Sequence, residues 1–190
     1  TATLEARQAR AQTIHAVARE LFLPLCVGGG IRSDDDAAAA IDAGADKVSI
    51  NSAAVKNPAL IDELAKAFGS QFVVLAIAAR KIENQWTVHT HGGSKPADKK
   101  LFSWAKEGQS RGAGEILFTS MDHDGTKQGF AIDPLAKLHE LLSIPVIGSG
   151  GAGSMPHFLE TFVIGKADAA LAASLFHFGE LTISDLKKYL

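Results

Sequence analysis

The chain has 190 residues, 46% of them hydrophobic and 21% charged, and its formal net charge at pH 7 is −2. This is the composition of a globular protein, and the balanced charge without dense basic runs argues against binding to nucleic acid. No apolar stretch reaches membrane-spanning length and no signal peptide is visible, so we expect a cytoplasmic protein with no membrane partner.

The first half of the chain alternates helical and strand-like segments. The predicted elements are a helix over residues 4–21, a strand at 25–27, a helix to residue 41 capped by Ser33 and Asp34, a strand at 48–50, a helix that starts at Asn57-Pro58, and a strand at 72–77. The single cysteine, Cys26, lies in an apolar strand, so we predict that it is buried in the core. It excludes an internal disulfide and fits a reducing compartment.

The second half continues the alternation. Its predicted elements are a small hairpin around residues 86–90, a helix over 98–111, a strand at 116–119, a helix over 134–142, a strand at 146–147, a helix over 155–164, a strand at 169–172 and a helix over 183–189. Strands that alternate with helices predict a parallel sheet with helices packed outside. We count about six strand–helix units in a single domain over residues 1–190, and this predicts a (β/α)8 barrel that lacks its first two strands. A doubly wound open sheet is the alternative. Two open sheet edges would favour self-association.

Two matching glycine turns favour the barrel. Pro24 leads through a short apolar strand to Gly28-Gly29-Gly30, and Pro145 leads in the same way to Ser149-Gly150-Gly151. A second pair of matching segments follows at the same interval of about 120 residues, one beginning Ala45-Asp46 and the other Ala167-Asp168. A strand that ends in glycines before a helix brings backbone N–H groups close to an anion. The repeat therefore predicts two phosphate sites and a substrate with a phosphate at each end.

The loop after the predicted strand at 116–119 carries the densest set of polar residues. It runs from Thr119 through Asp122, Asp124 and Gly125 to Gly129. A carboxylate at the active face of a barrel can act as a general acid or base. The alternative is that the aspartates cap backbone groups of an Asp-Gly turn, and this alternative stays open for both.

Several longer runs carry a resemblance to a known family. They are Val27–Ile31, Ala45–Val55, Arg111–Leu117, Asp124–Lys127 and Ser149–Gly153. Together they resemble the cyclase subunit of imidazole glycerol phosphate synthase, a (β/α)8 barrel of histidine biosynthesis, over essentially the whole chain.

The resemblance implies a reaction and a partner. The family takes ammonia from a glutaminase subunit and converts a bisphosphorylated aminoimidazole-carboxamide ribonucleotide into imidazole glycerol phosphate and an aminoimidazole-carboxamide ribotide, without a cofactor or metal. The resemblance also implies roles for matching positions. One phosphate would be held by Gly29, Gly30, Asn51 and Ser52, and the other by Gly150, Gly151, Ala173 and Ser174.

Further roles follow from the same resemblance. Thr119, Asp124 and Ser149 would line the pocket. Lys47 and Glu115 would gate ammonia entry, and Asp46 would face the glutaminase.

The sequence departs from the family at a catalytic position. The family places an aspartate general acid or base after the strand at 73–77, where this chain has Ala78, and its second such aspartate would precede Thr1. Because alanine cannot transfer a proton, we expect that this chain binds its ligand better than it turns it over. Two alternatives therefore stay open, a non-catalytic phosphate-ligand or partner-binding barrel and a paralogue that uses ammonia on a nucleotide-linked sugar. His89 and His91 of the hairpin have no carboxylate or cysteine nearby in the sequence, and we predict no metal there.

Overall fold

The computed structural model describes residues 4–190, with side chains from residue 11 onward. These residues form two compact units. Unit 1 consists of the chain up to Leu75 together with Ser110–Gly114, and unit 2 consists of Ala76–Gln109 and Glu115–Leu190. Within this described part of the chain, no helix is long and apolar enough to span a membrane.

Unit 1 alternates helices with short parallel strands. Its elements are α1 (Leu4–Glu20), β1 (Cys26–Gly28), α2 (Asp34–Asp42), β2 (Lys47–Ile50), α3 (Ser52–Lys56), α4 (Ala59–Phe68), a 3₁₀ turn (Ser70–Phe72) and the first part of β3 (Val73–Ile82). β1 pairs with β2, and β2 with β3, with Val48 opposite both Val27 and Val73. The predicted strands and helices of this half are confirmed, apart from α3, which the sequence did not indicate.

Local chemistry explains where two of these helices begin. The Ser33 hydroxyl accepts a hydrogen bond from the Asp36 backbone N–H at 3.2 Å, so Ser33 caps α2 as predicted, whereas Asp34 is the first residue of the helix. The helix predicted to start at Asn57-Pro58 begins at Ala59, because Asn57 is the residue that follows α3 and Pro58 is the residue that precedes α4. The fixed φ of proline suits the first turn of a helix, so α4 starts without a polar cap.

Unit 2 contains the rest of β3 and the second half of the alternation. Its other elements are β4 (Gln85–Thr90), β5 (Lys95–Lys100), α5 (Leu101–Ser110), β6 (Glu115–Ser120), α6 (Ile132–Leu141), β7 (Val146–Ser149), α7 (Met155–Val163), β8 (Ala169–Leu171), α8 (Ser174–His177) and α9 (Ile183–Tyr189). β6, β7 and β8 pair in parallel, whereas β3, β4 and β5 form an antiparallel hairpin extension.

The strand order decides between the two predicted fold classes. The sheet runs β1-β2-β3-β6-β7-β8, with the β4–β5 hairpin attached to β3. The order advances in one direction, whereas a doubly wound sheet reverses direction at a switch point. Strands that follow one another in sequence order, each followed by a helix, are the pattern of a (β/α)8 barrel. The prediction of a barrel with about six strand–helix units is confirmed.

Burial alternates along the strands and corrects the prediction for Cys26. In β1 only Val27 is buried, and in β2 the buried residues are Val48 and Ile50. Successive side chains of a strand point to opposite faces, so Cys26 and Lys47 lie on the other face of this parallel pair. The prediction of a core cysteine is wrong, since Cys26 is exposed.

The hairpin also corrects two boundaries. The strand predicted at residues 72–77 begins at Val73 and continues to Ile82, because Ala78–Ile82 pair with β4. The helix predicted over 98–111 begins only at Leu101. The residues before it form β5, where the Lys100 ammonium donates to the Thr87 hydroxyl at 3.1 Å.

Candidate active site

The first glycine turn, Gly28–Gly30, follows β1 in unit 1. Gly29 and Gly30 have φ of +80° and +77°, a region that favours glycine. A Cβ at Gly28 would collide with the hydroxyl of Ser49, which lies opposite it in β2. Asn51 and Ser52, predicted to complete the site, lie where β2 ends and α3 begins. The turn therefore presents bare backbone at the carboxyl end of β1, next to the end of β2.

The second glycine turn, Ser149–Gly151, repeats this arrangement in unit 2. Gly150 and Gly151 have φ of +92° and +103°. A Cβ on Gly150 would lie 2.7 Å from the Ser120 carbonyl oxygen, and a Cβ on Gly151 would collide with the Gly129 carbonyl. The Gly129 N–H in turn donates to the Gly151 carbonyl at 2.8 Å. Ala173 and Ser174 open the short helix α8, as Asn51 and Ser52 open α3.

Three predicted pocket residues come together beside the second glycine turn. Thr119 in β6 is the register partner of Ser149 in β7, so their side chains share one face of the sheet. Asp124 follows in the loop, and its Cβ lies 3.3 Å from the place where Gly150 would carry one. The Asp124 N–H donates to the Ser120 carbonyl at 2.9 Å, and its side chain is exposed. A hydroxyl pair and a carboxylate therefore border this turn.

The same loop contains two contacts that the sequence did not predict. The buried Ser120 hydroxyl lies 2.8 Å from Nδ1 of His123, which is held in the turn before Asp124. Asp122 accepts the Lys81 N–H at 2.8 Å and pairs with the Arg80 guanidinium at 3.2 Å. Of the two alternatives left open for Asp122, the structure therefore favours a structural role, because its carboxylate binds the loop to β3.

Ala78 lies within β3 and not at its end. It is half-buried and faces His89 across the antiparallel β3–β4 pair. The sequence analysis considered His89 only as a possible metal ligand and predicted no metal there. No signal in the sequence placed it opposite position 78, because that register is set by the turn between β3 and β4.

The three charged residues predicted for ammonia entry and the glutaminase face lie in different units. Lys47 begins β2 in unit 1, and Glu115 begins β6 in unit 2; both are half-buried. Asp46 accepts the Leu25 N–H at 2.7 Å. Asp168 accepts the Val146 N–H at 2.8 Å in unit 2, so the sequence repeat extends to this hydrogen bond.

Comparison with known proteins decides the family. Residues 1–182 match the protein family described as "Histidine biosynthesis protein". The chain belongs to this family. Similar members include the imidazole glycerol phosphate synthase subunits HisF of Parabacteroides distasonis (58% identical), Flavobacterium johnsoniae (57%) and Cytophaga hutchinsonii (55%). Each match covers the whole of this chain and 76% of the relative. The family resemblance inferred from the glycine turns and the neighbouring runs is confirmed, and the shared name is that of one subunit of a synthase.

Proposed function

We propose that this chain is the cyclase subunit of imidazole glycerol phosphate synthase in histidine biosynthesis. The observation that carries the proposal is identity of 54–58% to HisF subunits along the chain. The partner is a glutaminase subunit that supplies ammonia. The substrate is a bisphosphorylated aminoimidazole-carboxamide ribonucleotide, and the products are imidazole glycerol phosphate and an aminoimidazole-carboxamide ribotide.

The two glycine turns bind the two phosphates of this substrate. One phosphate is assigned to Gly29 and Gly30 with Asn51 and Ser52, and the other to Gly150 and Gly151 with Ala173 and Ser174. The support is that both glycine pairs have positive φ, so the backbone at each turn carries no side chain that would keep an anion away. Gly29 and Gly30 are exposed, whereas Gly150 and Gly151 are buried. A side chain at Gly151 would collide with the backbone of the neighbouring loop.

Asp124, Thr119 and Ser149 contact the reacting part of the substrate. Asp124 is the proton-transferring group of the three, since a carboxylate can accept and donate a proton. The position of Asp124 supports this assignment, because its Cβ lies beside Gly150 and its carboxylate is exposed. Asp46 is assigned to the glutaminase face, and Lys47 with Glu115 to the path of ammonia.

Ala78 is the departure that limits the reaction. General acid or base assistance contributes about 10²- to 10⁴-fold, and an alanine side chain contributes none of it. Substrate affinity depends on the glycine turns and is expected to persist. This chain should therefore bind the bisphosphorylated substrate well and cyclise it slowly.

The test compares Ala78→Asp with Ala78→Asn in the full-length gene product. Both variants add a side chain of the same shape, but only aspartate can transfer a proton. With saturating ammonium salt, Ala78→Asp is expected to raise kcat about 10²- to 10⁴-fold, whereas Ala78→Asn leaves it near the starting value. Equal rates for the two variants, with substrate binding intact in both, would contradict the assignment of position 78.

A further inference from the structure

His157 is the third residue of α7, the helix that follows the second glycine turn. Its Nδ1 accepts the backbone N–H of Gly153 at 3.1 Å, so the side chain reaches back to the segment that leaves the turn. The first turns of α7 hold the residue itself. Its N–H donates to the Ser154 carbonyl at 3.2 Å, and its carbonyl accepts the Thr161 hydroxyl at 2.8 Å. An imidazole therefore joins α7 to the turn that is proposed to bind phosphate.

The same ring packs against the loop that follows β6. A Cβ at Gly129 would lie 3.6 Å from Cδ2 of His157, which is an ordinary van der Waals distance. The Gly129 N–H donates to the Gly151 carbonyl at 2.8 Å, and the Lys127 carbonyl lies so close to Gly153 that a Cβ there would collide with it. His157 therefore contacts two of the segments that surround the second glycine turn, one through a hydrogen bond and the other through packing.

The hydrogen bond with Gly153 determines which ring nitrogen carries the proton. A backbone N–H can only donate, so Nδ1 must present its lone pair. In the neutral ring the proton is then on Nε2. An aromatic ring without that lone pair could fill the same space against Gly129 but could not accept the Gly153 N–H. Packing and hydrogen bonding by His157 can thus be separated by substitution.

We propose that His157 is a positioning residue for the second phosphate site. This inference rests on the proposed function, in which Gly150 and Gly151 bind one phosphate. Both glycines have positive φ and no side chain, so the conformation of the turn depends on what holds the chain on either side. Before the turn, Ser149 is fixed in β7, and after it the Gly153 N–H is held by His157. Without this hydrogen bond a smaller fraction of the molecules has the turn in the binding conformation, and the apparent affinity falls by that fraction.

The experiment compares His157→Phe with His157→Asn in the full-length gene product. Phenylalanine keeps a ring against Gly129 but has no acceptor. The carbonyl oxygen of asparagine is bonded to Cγ, as Nδ1 of histidine is, so it can accept the Gly153 N–H. His139 is an exposed histidine of α6, and His139→Phe controls for the exchange of a histidine for a phenylalanine elsewhere in the same unit.

Inorganic phosphate is the probe, and backbone amide shifts from NMR report both glycine turns in one titration. The Gly151 amide reports the second turn and the Gly29 amide reports the first. In His157→Phe, the Kd for phosphate at Gly151 is expected to rise about five- to tenfold, which is the effect of one hydrogen bond, while the Kd at Gly29 stays unchanged. His157→Asn and His139→Phe should each keep the Kd at both turns within about twofold of the parent value.

The outcomes separate this inference from the proposed function. If phosphate binds at Gly151 equally well in the parent and in His157→Phe, the inference is wrong, while the assignment of the phosphates stands. Equal losses in His157→Phe and His157→Asn, or losses at both turns, would show that the acceptor at His157 does not position this site. If phosphate shifts neither glycine amide in the unsubstituted protein, the assignment of the phosphates fails and the inference fails with it.

Two measurements on the unsubstituted protein decide the matter where a variant does not fold. At a pH above the ordinary titration range of histidine, NMR should show His157 protonated at Nε2, with a scalar coupling across the hydrogen bond from the Gly153 nitrogen to Nδ1. Coupling between two sites is reciprocal, so phosphate should in turn slow the hydrogen exchange of the Gly153 amide. A ring protonated at Nδ1, or an exchange rate that saturating phosphate leaves unchanged, overturns the inference.

Discussion

Replacing Gly151 by alanine should destabilise unit 2 by more than its backbone conformation alone explains. Gly151 has φ of +103°, and a Cβ there would collide with the carbonyl of Gly129. That carbonyl belongs to a loop residue whose N–H is bonded to the Gly151 carbonyl, so it cannot move away without breaking a hydrogen bond. Gly125 is the matched control, because it has φ of +78° but a Cβ added there would meet nothing within 4 Å.

The expected magnitudes follow from these two environments. A non-glycine residue in the left-handed region costs about 1–2 kcal/mol, and Gly125→Ala should lose only this much. Forcing an extra methyl group into a packed site costs about 1–3 kcal/mol more, so Gly151→Ala should lose about 2–5 kcal/mol in total. Each kcal/mol corresponds to roughly 2–4 °C in Tm for a chain of this size.

Tryptophan fluorescence is a suitable assay for this comparison. The chain has two tryptophans, Trp86 and Trp104, and both lie in unit 2 with Gly151. Urea unfolding of the two variants and the parent, followed by this signal, gives the difference in stability directly. Equal losses of unfolding free energy in Gly151→Ala and Gly125→Ala would refute the argument, because the collision with Gly129 would then not contribute to stability.

Two further predictions concern Cys26 and the repeated aspartates. A thiol reagent should modify one cysteine per chain in the folded protein, since Cys26 is exposed; modification only after denaturant is added would contradict this. Asp46→Asn should weaken binding of the glutaminase subunit about five- to tenfold in a titration, because it removes a charge from the proposed interface. Asp168→Asn, which alters the equivalent hydrogen bond in unit 2, should leave that affinity unchanged. Equal losses of affinity in the two aspartate variants would show that Asp46 does not lie in the proposed interface.

The glycine turns were predictable from the sequence because the backbone there requires glycine. Gly29, Gly30, Gly150 and Gly151 all have positive φ, a conformation that few other residues adopt. The repeat also marked Asp46 and Asp168 as equivalent. It could not show that the two carboxylates accept the N–H groups of Leu25 and Val146, since those contacts depend on how neighbouring segments pair.

Short elements were the ones that the sequence could not predict. β1 has three residues, so alternation over it is too brief to tell which face Cys26 occupies. α3 has five residues and α8 four, which is less than two helical turns. β5 is rich in lysine, and its last residues fall within the predicted helix over 98–111. They form a strand because β4 offers them hydrogen-bonding partners, so tertiary context outweighs local preference.

The site was predictable where residues share a strand end and unpredictable where register decides. Thr119 and Ser149 each lie at the end of a strand, and the parallel pairing makes them neighbours. His89 is opposite Ala78 only because the β3–β4 hairpin has the register that it does. Shifting that pairing by one residue would turn the imidazole to the other face.

The short segment Ser110–Gly114 has a consequence for dividing the chain. It belongs to unit 1 although unit 2 flanks it on both sides in the sequence. Arg111 pairs with Asp62 at 2.8 Å, and the Gly114 N–H donates to the Val73 carbonyl at 2.9 Å. Dividing the gene after the codon for Leu75 would therefore give a first fragment that lacks this ion pair and this hydrogen bond. The second fragment would contain Ser110–Gly114 without its contact residues in unit 1. Neither unit can be obtained as one uninterrupted stretch of polypeptide, so swapping halves between relatives requires two exchanged segments and not one crossover.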